Sequence, residues 1–394
     1  MNTRDRWLLP EGVDEVLPPQ AAALEQLCRQ VVDLHACWGY ELVFPPLIEF
    51  LDSLLTGTGS DLDLQTFKLT DQLTGRLMGL RADMTPQVAR IDAHKLGREG
   101  ISRLSYLGTV LHTRPSAFGD SRCPLQVGAE LYGHSGIESD AEVMCLLLET
   151  LLLVGINKPY IDIGHMRIVQ ALIAAADLND MQRQQLFDIL DRKATAELNA
   201  LLNDWQLTPA LQKALSALPT LNGSADILAG ARSALAAVGE PVKTALDDLQ
   251  RILDIVGSRY PQATFYIDLA ELRGYHYHTG IVFAAYIDGQ GSGLAFGGRY
   301  DDIGRAFGRA RPATGFSVDL KRLLAQLPAP TESVNGILAP WSENDKTLQA
   351  LVSSLRQQGE RVVQVLPDGN NDPALLGCNR RIVEQSGQWQ VKSV

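Results

Sequence analysis

The chain lacks the cysteine pattern of a disulfide or zinc scaffold. Its five cysteines, Cys28, Cys37, Cys123, Cys145 and Cys378, form no Cys-x-x-Cys pair and are odd in number. Reduced thiols in the cytoplasm are the expectation. The chain also lacks a long apolar run: Cys145 to Val154 is interrupted by Glu149 and is too short to span a bilayer. MNTRDRWLLPEGVDEVLPP has no apolar core, so no secretory signal is expected. Basic residues are outnumbered, 35 against 46, and the net charge of −11 disfavours a broad cationic footprint for nucleic acid. No internal repeat or low-complexity tract appears. What is present is 394 residues, enough for two or three domains, and 45% apolar side chains, enough for real cores.

The most informative stretch is Leu272 to Ile303, LRGYHYHTGIVFAAYIDGQGSGLAFGGRYDDI. It opens with Arg273 and an aromatic/histidine run, continues as an apolar strand from Gly280 to Tyr286, and turns through glycines between Gly289 and Gly298. Two strands joined by a Gly-rich turn make a hairpin. Glycines in the second strand let a ligand or another backbone approach. Arg273 is a permanent cation suited to a carboxylate. A plain turn with a surface stack is the alternative. His276 and His278 raise the question of a metal, but no Cys or second His cluster with ligand spacing accompanies them, so none is expected.

Upstream, Leu24, Leu27, Cys28, Val31 and Leu34 recur at helical spacing over Gln20 to Cys37. Tyr40 to Phe44 reads as a strand stopped by Pro45-Pro46. Thr66 to Thr70 and Arg76 to Leu80 read as strands around a turn at Asp71 to Gly75. A helix is predicted over Gln87 to Leu96, with Thr85 as its N-cap and Pro86 at the first helical position. Asp83 has no such role, and an anion there could bind an ammonium group.

Tyr106 to Leu111 and Leu125 to Tyr132 are predicted strands flanking the polar loop His112 to Cys123. Alternation puts Gln126, Gly128 and Glu130 on one face and Val127, Ala129 and Leu131 on the other. Simple solvent exposure would also explain the polar face. Ile137 to Val154 reads as a helix and Tyr160 to Ile163 as a short strand. Arg167 to Val256 has the pattern of roughly four to six helices, with Asp180 and Ser224 as candidate caps, Pro241 a start and Gly257 a stop. Strand Thr264 to Leu269 then leads into the hairpin. Pro312 to Leu324 is a strand running into a helix, and Gln326 to Ser333 a linker. The tail reads strand (Ile337 to Ala339), helix (Asn344 to Gln358), strand (Arg361 to Leu366). Beyond the Asp368 to Asn371 turn it is short and poorly patterned. With 6 basic and 7 acidic residues from 331 to 394, it presents no basic face.

Taken together, these residues resemble a class II aminoacyl-tRNA synthetase core of the histidyl type. The resemblance is carried by Gly39-Tyr40 with Pro46-Leu47-Ile48-Glu49, Leu80-Arg81 with Asp83-Met84-Thr85, and Gln126 with Gly128 and Glu130. Arg273-Gly274 with Tyr277, Gly297-Gly298-Arg299-Tyr300-Asp301, and Gly315-Phe316 with Arg322 complete it, over residues 8 to 325. It implies an α/β (α+β) fold, an antiparallel sheet flanked by helices. Residues 1–325 would be the core, with an all-helical insertion at about 166–258, and 334–394 a shortened C-terminal α/β domain. By resemblance, Asp83 and Thr85 would hold a ligand ammonium group with Gln126 in support. Glu130 would accept a hydrogen bond from an imidazole, Arg273 would approach the ligand, and Tyr277 with His278 would line the ring. Such a site pairs opposite charges and rejects analogues without the hydrogen-bonding groups.

The departures from that family matter as much. Where the second class motif carries Phe-Arg to grip the carboxylate and the α-phosphate of ATP, this chain has Val110-Leu111. Thr113 replaces its acidic partner, Asp120 a basic residue, Asp319 a glycine beside ATP, and His278 a tyrosine. Loss of one preorganised donor costs on the order of 10²–10³ in rate. An amino-acid pocket with eroded ATP and tRNA machinery resembles the synthetase-like paralogues that act as regulatory subunits of ATP phosphoribosyltransferase. That likeness implies no catalytic residue and no cofactor. It implies a short-form catalytic subunit as partner in a hetero-octamer, a homodimer through the first class motif, free histidine as feedback effector, and a cytoplasmic location without nucleic acid or membrane. An active histidyl-tRNA synthetase, and a histidine-sensing module for another partner, are the competing readings.

Overall fold

The computed structural model describes residues 7–56, 60–115, 120–275, 277–287, 291–328, 335–369 and 371–394. His276, Ser116 to Gly119 of the polar loop, the turn around Gly289, much of the 326–333 linker and Asn370 lie outside them. The described chain divides into two compact units, one running from Ala21 to Pro328 with the stretch before it up to Leu17, the other carrying the C-terminal segment to Val394. Among the described residues, no helix is long and apolar enough to cross a membrane.

The strands, in chain order, are β1 (Glu41–Val43), β2 (Ile48–Phe50), β3 (Phe67–Thr70), β4 (Leu77–Leu80), β5 (Ser102–Thr109), β6 (Leu125–Tyr132), β7 (Tyr160–His165), β8 (Asn222–Gly223), β9 (Thr264–Asp268), β10 (Ile281–Tyr286), β11 (Ala295–Arg299) and β12 (Ala313–Asp319). Nine of them form one sheet in the order β1-β5-β6-β12-β11-β10-β7-β9-β8, and β2-β4-β3 form a small second sheet. The central strands β5, β6, β12, β11, β10 and β7 are antiparallel, while β1 on β5 and β9 on β7 are parallel. Helices Gln20–Cys37 and Ile137–Leu153 bury Leu27, Val31, Val143 and Leu147 in the same core as Val127, Ala129 and Leu131. The other face of β5 carries Leu104 and Tyr106 into a second core with Met84, Val88, Tyr132 and Tyr300. The alternation read from β6 therefore separates a helix-covered face from a face that carries polar groups.

The insertion consists of six α-helices, Met166–Ala175, Asp180–Asp191, Thr195–Asp204, Pro209–Ala217, Ile227–Ala234 and Glu240–Arg259, with the two-residue β8 among them. Its caps differ from the expectation. Asn179, not Asp180, caps the second helix in a capping box with Gln182. Ser224 lies two residues before the cap position of Ile227–Ala234, which is Asp226. Gly257 does not stop the last helix, whose amphipathic face carries it to Arg259.

Two further boundaries shift near the site. Strand β5 runs from Ser102 and ends at Thr109 rather than Leu111, opposite Leu125 where its partner β6 begins, and the Arg81 guanidinium donates to the Thr109 carbonyl at 2.9 Å. The helix expected over Gln87 to Leu96 starts earlier, as Thr85–Arg90, and widens into a π-helical stretch, Ile91–Leu96.

In the C-terminal unit, β13 (Gly336–Ala339), β14 (Val362–Gln364), β15 (Cys378–Gln385) and β16 (Gln388–Ser393) form a sheet in the order β14-β13-β15-β16. Helix Lys346–Gln357 packs Leu348 and Val352 against Ile337 and Ile382. The segment after the Asp368 turn, expected to be poorly patterned, is an antiparallel hairpin paired from Arg380↔Ser393 to Gln385↔Gln388. Its turn is Ser386-Gly387, both at positive φ.

Candidate functional site

The site is built on β6. Its polar stripe is not solvent-exposed: Glu130 is 1% exposed. Its carboxylate accepts from the hydroxyls of Tyr106 at 2.9 Å, Thr85 at 3.0 Å, and Tyr300. Burial outweighs these donors and pushes the carboxyl up to about 8. Two glycines make room for this cluster. Gly128 faces Tyr106 across β5–β6, and any Cβ there would meet the Tyr106 ring. Gly315 faces Glu130 across β6–β12, and a Cβ there would overlap the Glu130 carboxylate.

Thr85 is not a cap. Met84 occupies the cap position without a side-chain bond, and Thr85 is the first helical residue. That turns its hydroxyl inward, to Glu130 and toward Asp83 at 3.4 Å. Asp83 is held in turn by Gln126, whose Nε2 donates to Oδ1 at 2.8 Å while its Oε1 accepts from the Met84 N–H at 3.1 Å. The structure thus brings Asp83, Thr85, Gln126 and Glu130 into one hydrogen-bonded unit.

The hairpin supplies the opposite wall. The rings of Tyr277 and His278 lie 4.1 Å apart, and His278 meets Tyr300 edge-on at 6.4 Å. Burial drops the His278 imidazole to about 3, so it is neutral. Among the described residues, its Nδ1 has no hydrogen-bond partner. Gly298 lies against this ring.

These residues line two adjoining spaces. A recess of about 60 Å³ is bounded by Glu130, His278, Gly298, Tyr300 and Gly315. A cavity of about 620 Å³ lies over Asp83, Thr85, Gln126 and Tyr277, with Phe187, Asp188 and Asp191 of the insertion on its far side. Phe187 packs on Tyr275 at 4.4 Å, and Lys193 pairs with Asp268, so the insertion is fastened to this wall.

Arg273 stands apart. It lines neither space but a narrow recess behind Tyr277 and Phe296. It donates to the Tyr286 hydroxyl at 3.0 Å, pairs with Glu271 at 3.4 Å, and lies 5.2 Å over the Phe296 ring. Arg299 is also a structural group. It is buried on Asp140, Asp301 and Ser139, tying β11 to helix Ile137–Leu153. Its neighbour Tyr300 reaches the site, as Gly298 of the same motif does.

A second cavity of about 290 Å³ is lined by Asp120, Ser292, Asp319 and Arg322, where the resemblance placed nucleotide. Asp319 and Arg322 are engaged internally. Asp319 accepts from the N–H groups of Leu125 at 3.1 Å and Lys321 at 3.0 Å, capping helix Leu320–Leu324. Arg322 donates to the carbonyl of Gly293 at 2.7 Å and to Ser292. Arg122 donates to the carbonyls of His112 and Glu11, both at 3.0 Å. Among the described residues, no cluster of three or more His, Cys, Asp or Glu has the arrangement of a metal site.

Sheet, insertion and pocket define a histidyl-tRNA synthetase-like class II protein. The histidyl-tRNA synthetase family description matches residues 12–323, and that of the ATP phosphoribosyltransferase subunit HisZ C-terminal domain matches residues 334–392. An ATP phosphoribosyltransferase regulatory subunit from Thioalkalivibrio sulfidiphilus is 55% identical over 393 residues, covering 99% of both chains. Another from Pseudomonas putida is 53% identical with the same coverage. A crystal structure described as an ATP phosphoribosyltransferase regulatory subunit/histidyl-tRNA synthetase from Bacillus halodurans superposes with a TM-score of 0.81 at 28% identity, covering 94% of this chain and 95% of that one. Histidyl-tRNA synthetase from Nostoc shares the fold, with a TM-score of 0.76 at 18% identity and coverage of 98% and 97%. The chain belongs to the family of ATP phosphoribosyltransferase regulatory subunits, non-catalytic relatives of histidyl-tRNA synthetase that serve histidine biosynthesis beside a catalytic subunit.

Proposed function

We propose that this subunit binds free histidine in the pocket of Asp83, Thr85, Gln126, Glu130, Tyr277 and His278, and passes its occupancy to the short-form catalytic chain as feedback inhibition. Asp83 would take the ammonium group and Glu130 the imidazole, as opposite charge and hydrogen-bonding capacity require. Without histidine the subunit would activate its partner in the cytoplasm, within a hetero-octamer containing homodimers joined through the first class motif. By linkage, histidine and the active state of the partner must weaken each other equally, typically by about 1–3 kcal/mol.

One observation carries this reading. Asp83, Thr85 and Glu130 are joined by hydrogen bonds around a buried Glu130, while Asp319, Arg322 and Arg122 are committed to internal partners. Calorimetric titration with histidine and with ATP separately tests it. Histidine is expected to bind, ATP is not, and Glu130→Ala is expected to remove histidine inhibition from the reconstituted complex while leaving its activation. Binding of ATP alone would reject the proposal.

A further inference from the structure

We infer that the pocket recognises its ligand as an imidazole-bearing primary amine and does not read a carboxylate. This rests on the histidine-pocket reading above and narrows it. The charged residues lining the large cavity are Asp83, Asp188 and Asp191, and the recess adds the buried, protonated carboxyl of Glu130. Among the described residues, no lysine or arginine lines either space. A carboxylate that leaves water needs a cation or convergent N–H donors, or its desolvation cost goes unrelieved.

Nearby guanidinium groups are engaged elsewhere. Arg273 is drawn to Glu271 and Tyr286 behind Phe296. Arg81 is buried on the carbonyls of Pro45 and Thr109. Arg122 is held by the carbonyls of His112 and Glu11. The backbone donors at the rim are occupied too, since the Met84 N–H goes to Gln126 and the Thr85 N–H to Asp83 at 3.3 Å. His112 commits one ring nitrogen to the protein: its Nε2 lies 2.9 Å from the Ala82 carbonyl, which can only accept, so that nitrogen carries a proton already spent.

The ligand carboxylate is therefore left in the wet mouth of the cavity, on the side of Asp188 and Asp191. Asp188 pairs with Arg192 at 2.8 Å, which offsets part of the acidic charge at that rim, and Arg192 is itself shared with Glu197 at 2.9 Å.

The test is calorimetric titration of the full chain with histidine, histidinol, histamine and N-acetylhistidine. Histidinol and histamine lack the carboxylate and are expected to bind within about tenfold of histidine, whereas N-acetylhistidine, which keeps it and loses the amine, is expected to weaken by a hundredfold or more, on the order of what a site rejects when its own polar groups go unpaired. Arg273→Ala is expected to leave the histidine-to-histidinol ratio unchanged. If histidine binds and both carboxylate-free amines are lost by a hundredfold, the inference falls and the histidine reading stands. It falls in the same way if Arg273→Ala weakens histidine alone. If the amines bind and histidine does not, the carboxylate is rejected rather than left unread, and both the inference and the feedback reading fall. Absence of binding by all four overturns both.

Discussion

The Thr85 hydroxyl donates to Glu130 across 3.0 Å, so the first residue of a helix fixes a carboxylate that projects from the sheet. With Tyr106 and Tyr300 it surrounds an acid that burial keeps protonated up to about pH 8.

Glu130 should therefore make stability fall with rising pH. Its folded pKa, about 8, lies above the ordinary value of 4.5, so between these limits the folded state holds a proton that the unfolded state has lost. The contribution is fully present below 4.5 and gone above 8, with a slope of up to about 1.4 kcal/mol per pH unit between them. Glu130→Gln removes the titration. Denaturant melts of both proteins across this window should diverge with that slope, and parallel curves would disprove the assignment.

Histidine should raise the melting temperature, because it binds only the folded state. At a hundredfold excess over Kd the gain is about 2.7 kcal/mol. Glu130→Ala should abolish it, and amino acids of similar size without an imidazole should not reproduce it. Scanning calorimetry with histidine, glutamine and leucine measures this directly.

Leu111→Arg should not restore histidine-dependent ATP–pyrophosphate exchange. One returned guanidinium is worth on the order of 10²–10³ in rate, but Asp319 still caps its helix and Arg322 still holds Ser292 and Gly293. Exchange in the unmodified protein would defeat the non-catalytic reading.

Gly315→Ala should destabilise by about 1–3 kcal/mol through overpacking against Glu130. It should also cancel the thermal response to histidine, since the displaced carboxylate can no longer meet Thr85. A variant that folds and still responds normally would show that this close approach is not needed.

Arg299→Ala should cost about 3–5 kcal/mol, the penalty for stranding a buried partner, here Asp140. Because Arg299 does not line the pocket, the variant that remains folded should bind histidine with an unchanged Kd.

Much of this is legible in the sequence where period and burial agree. Leu125 to Tyr132 alternates, and its apolar half meets the helical layer as expected. Asp83, Thr85, Gln126 and Glu130 converge as the resemblance implies. Thr85 reads as a cap because Thr-Pro at a helix start has the same spelling whether the hydroxyl turns to the backbone or to a partner 45 residues away. Tyr106 does not stand out in the sequence, although Gly128 holds a clue: a glycine between two polar residues marks space for a large ring on the neighbouring strand. Arg273 looks like an anion anchor because linear sequence does not show Glu271 and Tyr286 claiming it. The hairpin Cys378–Gln385 with Gln388–Ser393 is obscured because one of its faces is polar and open, although Ser386-Gly387 is a turn signal.

The contact of Phe187 on Tyr275 has a kinetic meaning. The helix bearing Phe187 lines the same cavity as Asp83, so the packing of Phe187 on Tyr275 sets one wall around an occupant. Exchanging the helical segment for one of different length from a related chain would change how long an occupant stays more than how strongly Asp83 attracts it.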